Sequence, residues 1–301
     1  LENHCTFLGF RNYDRIGTGK QQGLRLVKNS GLGVLRDTAQ SKMVRYYAEL
    51  PKEARKLALS NQLILLAKTN TRSTVHGSRY TDFISIKRFN QYGEIIGERW
   101  FIGLYTSSVY NDNPRSFPLI RLKVAEVLQR SNLPKNGHAY KALAHILKTL
   151  PRDDLFHATV NELYELGMGI LHLQDRRCIR LFTRKDIFGR FISCLVYVPR
   201  DDFTMELCYR MEKILSASFH ALDISYTTTF SDSVLARINF TVRIDPKKTY
   251  TYDLSAIEQQ LIQVGRSWRE ALRQQLIAAF GEEHGSTFIT RYENCFPSSY
   301  R

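Results

Sequence analysis

Between Val234 and Ile244 every second side chain is apolar: Val234, Ala236, Ile238, Phe240, Val242 and Ile244, with Arg237, Asn239, Thr241 and Arg243 between them. A period of two sends alternate side chains to opposite faces of an extended chain. The stretch therefore predicts a strand with one face buried and one in water. Such a strand needs partners. Cys178 to Thr183 and Phe191 to Val198 supply two, joined by a turn at Asp186, Phe188 and Gly189, and the alternation of Leu222, Ile224 and Tyr226 supplies a third. Pro199-Arg200-Asp201-Asp202 leads into a helix whose Leu207, Met211, Ile214 and Leu215 form one apolar stripe. A long helix closes the set, with Leu254, Ile257, Leu261, Val264, Trp268 and Leu272 on its buried stripe and Ser255 and Glu258 spaced as a capping box.

The order of these elements is ββαββα. Transferring the first strand to the end gives βαββαβ, the ferredoxin-like order that ACT modules share, and predicts an antiparallel sheet with two helices on one face. The preceding half reads as a second sheet-containing part. Cys5 to Tyr13 is strand-like, and Gly17 to Gly33 reads as turns between short strands. Pro51 opens a helix through Leu59, and Leu63 to Ala67 has the length of a buried strand. Tyr80 to Tyr105 reads as a hairpin turning at Asn90-Gln91-Tyr92-Gly93. Its second strand carries Ile96, Trp100, Ile102 and Leu104 on one face, with Glu98 the polar exception. From Pro118 to Leu173 three short helices are expected: one with Leu119, Leu122, Val127 and Leu128, one with Leu143, Ile146, Leu147 and Leu150, and one opened by Thr159 and Glu162 as a capping box.

The expected fold class is thus α+β: antiparallel sheets with helices on one face, an ACT/ferredoxin-like C-terminal half, and a helical connector between two sheet-containing parts. The expected divisions are a basic α+β domain with the hairpin over 1–115, the connector over 116–172, the ACT-like domain over 173–281, and the start of a next segment over 282–301. The chain begins without Met, shows no signal-peptide pattern, and reads at both ends as part of a longer protein.

Charge narrows the partners. Lys plus Arg exceed Asp plus Glu by 14, and the whole excess lies in residues 1–150, which hold 24 basic and 10 acidic side chains. Such a half-chain suits an anionic ligand, nucleic acid or an acidic surface, or a face that docks on another part of the same protein. No apolar run approaches the roughly 18 residues of a membrane span. Five cysteines without a C-x-x-C suit reduced, buried thiols in a cytoplasmic protein better than a zinc site or a disulfide framework.

A search for chemistry finds no active site. Gly31-Leu32-Gly33 lacks the third glycine of a dinucleotide fingerprint because Arg36 stands there, and Gly17-Thr18-Gly19-Lys20 lacks the P-loop spacing. His138 and His145 could share a helix face, but no carboxylate or cysteine completes a ligand set, and His172 reads as a packed residue. Asp153-Asp154 and Asp201-Asp202 precede helical segments and read as N-caps. No G-x-S-x-G and no Cys–His motif occurs. No catalytic, cofactor-binding or metal-binding residue is therefore assigned. One run is chemically unusual: Lys68, Arg72, Ser73 and His76 gather anion-binding side chains within nine residues, a candidate anion or subunit contact. Tyr80, Phe83, Phe89, Tyr92 and Trp100 interleave with Arg79, Lys87, Arg88 and Arg99, as on a surface where bases stack, yet no nucleic-acid-binding signature accompanies them.

Four long runs carry a resemblance: KTNTRSTVHGSRYTDFISIKRFNQYGEIIGERWFIGLYTSSVYNDNPRSFPLIRLKV (68–124), PRDDLF (151–156), GILHLQDRRCIRLFTRKDIFGRFISCLVYVPRD (169–201) and SDSVLARINFTVR (231–243). In order and spacing the chain, from about Cys5 to Phe280, closely resembles the N-terminal regulatory region of the large bacterial NAD-specific glutamate dehydrogenases, with its ACT-like modules. The resemblance implies a parent enzyme that oxidises L-glutamate to 2-oxoglutarate and ammonia and passes a hydride to NAD, on a catalytic domain further toward the C-terminus. No position here matches the family's catalytic or cofactor residues.

The role that the resemblance implies is regulatory or architectural, in a cytoplasmic homo-oligomer whose partner is the rest of the same polypeptide. ACT-like sheets can bind an amino-acid effector at the sheet–helix edge. The edge elements here are the turn Arg184 to Arg190 and the corner Arg200-Asp201. Arg184, Arg190 or Arg200 would meet an effector's carboxylate, and Asp186 or Asp201 its ammonium, with Gly189 in the turn. The same residues serve equally as turn, cap and interface residues of a module that only assembles subunits. Two further readings stay open: a free-standing amino-acid-sensing module, and a basic nucleic-acid-binding protein whose affinity falls steeply with salt.

Overall fold

A computed structural model of the chain describes residues 3–36, 38, 41–73, 75, 80–173, 176–231, 233–248, 250–266, 268–292 and 295. They form two compact units, Leu1–His172 with Arg184–Ile192, and Leu173–Thr183 with Ser193–Arg301. In the first, β1 (Cys5–Ile16), β2 (Gly23–Leu26), β3 (Leu32–Gly33), β4 (Val44–Tyr46), β5 (Ile64–Arg72), β6 (Tyr80–Phe89) and β7 (Ile95–Tyr105) make one sheet in the order β4-β2-β1-β7-β6-β5, with β3 also on β1. The pairings of β1 with β2, β3 and β7, of β2 with β4, and of β6 with β5 and β7 are antiparallel.

The β6–β7 hairpin turns where its residues predict. Asn90 Oδ1 accepts from the Tyr92 and Glu94 N–H groups, both at 2.9 Å, and Gly93 adopts φ 77°. Glycine is also required at Gly97, where a Cβ would collide with the Tyr13 carbonyl of the neighbouring strand. The helix α1 (Lys52–Leu59) follows β4. Tyr13, Leu24, Leu26 and Tyr47 are buried together, with Leu50, Ala58 and Trp100 packed against them.

After β7 come α2 (Ser107–Asn111), α3 (Pro118–Arg130), α4 (His138–Thr149), α5 (Arg152–His157) and α6 (Val160–Leu173). From Pro118 onward this is four helices where three are expected. The additional one, α5, is a short helix begun after Pro151, and it contains Asp153 and Asp154 in its first turn rather than being capped by them. The buried face of α3 also differs from expectation: Ile120, Val124, Val127 and Leu128 are buried, whereas Leu119 and Leu122 are exposed. The capping box of α6 forms as spaced: Thr159 N–H donates to Glu162 Oε2 at 2.7 Å, and Glu162 N–H to Thr159 Oγ1 at 3.2 Å.

Two lysines finish helices that carry no C-terminal glycine. Lys123 Nζ donates to the carbonyls of Leu155, Phe156 and Ala158 at 3.2, 2.7 and 2.7 Å, and Lys87 Nζ donates to those of Leu57, Ala58 and Ser60. A cation with three donors satisfies the orphan carbonyls of a last turn and complements its partial negative charge. Lys123→Met removes all three bonds while keeping the aliphatic stem. It is expected to cost about 2 kcal/mol, read as a lower urea midpoint with an unchanged slope; a loss under about 0.5 kcal/mol, the midpoint shift multiplied by that slope, refutes the capping role.

The second set of elements is β8 (Arg180–Lys185), β9 (Phe191–Pro199), α7 (Met205–Ser218), β10 (Asp223–Thr229), β11 (Leu235–Arg243), α8 (Leu254–Gly265) and α9 (Trp268–Tyr292). Their sheet runs β10-β11-β9-β8. With β8 counted last, as the permuted ββαββα order requires, this is the 2-3-1-4 arrangement of the ferredoxin-like fold. β10 and β11 pair antiparallel from Asp223↔Arg243 to Thr229↔Arg237. β11 buries Leu235, Ala236, Ile238, Phe240 and Val242, and Arg237, Asn239, Thr241 and Arg243 are half-buried on its other face. Leu207, Cys208, Met211 and Leu215 of α7 are buried, and Ile257 and Leu261 of α8.

Three local expectations are corrected. The cap of α7 is Thr204, whose Oγ1 accepts from Leu207 N–H at 3.1 Å, while Asp201 and Asp202 lie in a 3-10 turn. The cap of α8 is Asp253, which accepts from Ala256 N–H at 3.0 Å; Glu258 instead pairs with Arg180 at 3.0 Å. The expected long helix is two, since Arg266 is extended (φ −63°, ψ 132°) and α9, which contains Leu272, is itself interrupted at Gly281 (φ 76°). All five cysteines are free, with Cys5, Cys194 and Cys208 buried. Among the described residues no helix is long and apolar enough to cross a membrane.

Candidate functional site

Lys68 lies on β5 opposite Asp82 of β6 in the strand register, so sheet pairing alone brings ammonium and carboxylate together. Lys68 Nζ is 2.9 Å from Asp82 Oδ1 and 3.3 Å from Asp153 Oδ1 of α5. Asp82 is 1% exposed, and its second oxygen accepts from Tyr105 N–H at 3.1 Å. The next residue of α5, Asp154, takes the other cation: Arg184 Nε and Nη2 both donate to Asp154 Oδ1, at 3.0 and 2.9 Å. One turn of helix thus gives one carboxylate to each of two half-buried cations drawn from the two candidate groups.

The turn after β8 closes on itself. Asp186 Oδ2 accepts from Phe188 N–H at 3.1 Å and Arg190 N–H at 3.5 Å, and Gly189 adopts φ 67°. Arg190 lies over the Phe188 ring at 4.5 Å and donates from Nη2 to the Lys68 carbonyl, a bond spanning 122 residues. The remaining candidates are local. The Arg72 guanidinium lies over the Tyr80 ring at 5.1 Å, and Ser73 Oγ bonds the backbone of Val75. His76 lies outside the described residues. Arg200 donates to the Ser231 carbonyl at 3.3 Å, and Asp201 forms an exposed pair with Arg177 at 2.8 Å.

Sequence reasoning missed Asp82, Asp153 and Asp154. Two adjacent acids were assigned to capping; the available contrary signal was a chain half with far more cations than anions of its own. Burial pushes the Asp82 carboxyl up to about 6, helped by the charge of Asp153 and opposed by Lys68. For Lys68, burial opposes the charged form, but Asp153 and Asp82 outweigh it and hold the ammonium well above its ordinary range. One ammonium between two carboxylates means that the first proton taken up as pH falls goes to Asp82.

The consequence has a definite sign. Between its ordinary value of 3.8 and about 6, Asp82 binds more protons folded than unfolded, so its contribution to stability falls as pH rises through that window. The stability margin of the wild type over Asp82→Asn is therefore expected to shrink from pH 4 to pH 6 and stay flat above, in urea titrations at stepped pH; a margin that grows with pH over that range would contradict it.

The Gly31-Leu32-Gly33 run does not form a dinucleotide-binding turn. Leu32 and Gly33 pair with Phe10 and Gly9 of β1, in place of the strand-to-helix turn that would present N–H groups to a phosphate. Among the described residues no group of three or more His, Cys, Asp or Glu is arranged to hold a metal ion.

Comparison with known proteins adds the family context. Residues 117–176, which include α3 to α6, match the family described as glutamate dehydrogenase, helical motif 1. Residues 180–269, which include β8 to α8, match glutamate dehydrogenase, ACT2 domain. The whole chain is 39% identical over 301 residues to an NAD-specific glutamate dehydrogenase of Halomonas elongata and 37% identical over 303 residues to one of Pseudomonas aeruginosa. Over 216 residues, 72% of the chain, it is 28% identical to one of Mycobacterium tuberculosis. The chain spans 19%, 18% and 12% of the length of these relatives.

Proposed function

This chain, a segment with the ACT2 domain and helical motif 1, belongs to the glutamate dehydrogenase family, and from that premise we propose that it is the regulatory and assembly segment of an NAD-dependent enzyme. The whole enzyme would convert L-glutamate, NAD and water to 2-oxoglutarate, ammonia and NADH, with NAD held and hydride transferred on parts of the polypeptide outside this chain. One observation carries the architectural emphasis: Lys68, Arg184 and Arg190, the cations best suited to an external anion, are each bonded to residues of this chain. Cations held this way stiffen a scaffold and leave little to offer an exposed ligand.

The reading extends to a cytoplasmic homo-oligomer with the rest of the polypeptide as the main partner. A nucleic-acid role has less support. Phe83 and Trp100 pack edge to face at 5.0 Å, and Trp100 on the buried Tyr13 at 4.3 Å, which occupies rings that would have to stack on bases.

The test uses both the chain and the whole enzyme. The 301-residue chain alone should form no NADH from glutamate and NAD. In the whole enzyme, Arg190→Ala should leave the KM values for glutamate and NAD unchanged while altering subunit assembly, seen by sedimentation velocity. Turnover by the chain alone, or a fall in kcat without any change in assembly, overturns the reading.

A further inference from the structure

The helix α3 carries apolar side chains on two faces. Ile120, Val124, Val127 and Leu128 are buried, while Leu122, on the opposite side of the helix, is 64% exposed. A helix that is apolar on both sides is built to be covered on both. Leu122 borders a hollow that shares Ala125, Gln129 and Asn132 with a groove of about 660 Å³, whose wall includes Val124 and Leu128. Three cations line that groove: Arg115, held in a 3-10 turn that Asn113 caps at 3.1 Å, Arg121 on α3, and Lys135 in the turn before α4. All three are exposed, and none forms an ion pair with a described residue. In this they differ from Lys68, Arg184 and Arg190, which are bonded inside the chain. Among the described residues Glu126 is the one acid lining either depression.

Cations without anions beside an exposed leucine recognise carboxylates that arrive together with apolar side chains. A merely solvated face has no need of the leucine, and a small inorganic anion would leave it uncovered. Acids that could answer the cations are scarce in the same half of the chain, since residues 1–150 hold 10 against 24 basic side chains. The relatives have room for such a partner: the chain spans 19% and 18% of the length of the two that it matches throughout. We propose that this face of α3, with Arg115, Arg121 and Lys135 along its groove, docks an acidic amphipathic segment of the same polypeptide that lies outside these 301 residues. The proposal rests on the reading of the chain as one segment of a larger enzyme, and it names the surface and the chemistry of their contact.

Lysine acylation with a water-soluble succinimidyl ester, read by peptide mass spectrometry, compares the whole enzyme with the 301-residue chain. Lys135 should react at least about tenfold more slowly in the whole enzyme, because a docked segment must open before the amine is reached. Arg121→Glu, which reverses a charge, and Leu122→Asp, which removes the apolar contact, should each restore most of that reactivity in the whole enzyme. Both positions are exposed, so each variant of the chain alone should keep its near-UV circular dichroism and melt within about 2 °C of the wild type. Equal reactivity of Lys135 in the two proteins overturns the proposal, and so does protection that survives both variants. Slow labelling already present in the chain alone and relieved by dilution would assign the face to a second copy. Protection of the chain by pyrophosphate, as full as that in the whole enzyme, would assign it to a small anion. Either result also overturns docking of an acidic segment. NADH formation by the chain alone would instead sink the reading of a non-catalytic segment and leave the labelling comparison untouched.

Discussion

Lys68→Met is expected to destabilise the first unit by about 3–5 kcal/mol, the cost of removing one partner from a buried ion pair. For a unit of this size that is a fall in melting temperature on the order of 10 °C. Methionine keeps the volume of the lysine stem, so packing changes little and the loss is electrostatic. Asp82 is 1% exposed and retains the Tyr105 N–H bond, which is too little to hold an anion out of water. The carboxyl then escapes by taking a proton, so the penalty should be smaller at pH 5 than at pH 8. Lys68→Met combined with Asp82→Leu removes both charges and should recover most of the loss, because apolar replacement of a whole buried pair is often neutral. If the single variant melts within a degree or two of the wild type, the network does not anchor α5 to the sheet, and the architectural emphasis of the proposed function goes with it.

The parts of the fold that were legible share a cause. β11 is written in the alternation from Ala236 to Ile244, although Val234, expected on the buried face, is exposed and Leu235 is buried instead; the β6–β7 turn is written in Asn90 and Gly93, and the α6 start in Thr159 and Glu162; in each the determining interaction spans a few residues. The ββαββα order is likewise a sum of local periods, and its permutation predicts the strand order found. What was missed depends on partners far along the chain. Arg184 reaches Asp154 across 30 residues and Arg190 reaches Lys68 across 122, so no local spacing marks them. Lys87 and Lys123 look like surface cations of a basic half-chain until the ends of α1 and α5 are placed against them. The break after α8 was hidden for another reason. Its apolar stripe continues through Trp268 in phase, so periodicity reports one helix although Arg266 is extended.

Burial, rather than the length of the contact, sets the worth of the Arg184 pair. Arg184 Nη2 lies 2.9 Å from Asp154, and Arg177 Nη2 lies 2.8 Å from Asp201; by length the two pairs are equivalent. Their side chains are 14% and 3% exposed in the first pair and 69% each in the second. Arg184→Met is therefore expected to cost about 3 kcal/mol, since Asp154 loses two charge-assisted bonds in a desolvated place, whereas Arg177→Ala should cost under about 1 kcal/mol. Arg184→Lys keeps the charge but not the paired Nε and Nη2 donors, and should fall between them. Salt sharpens the contrast: raising it should erase the small effect at Arg177 and leave most of that at Arg184, because screening acts on exposed pairs. Chemical denaturation of the three variants at low and high salt reads both comparisons. Equal losses at Arg184 and Arg177 would mean that the α5 carboxylates act as surface charges, and that what holds the turn after β8 in the first unit is its apolar contact, Phe191 on Tyr80 at 4.9 Å, rather than its cations.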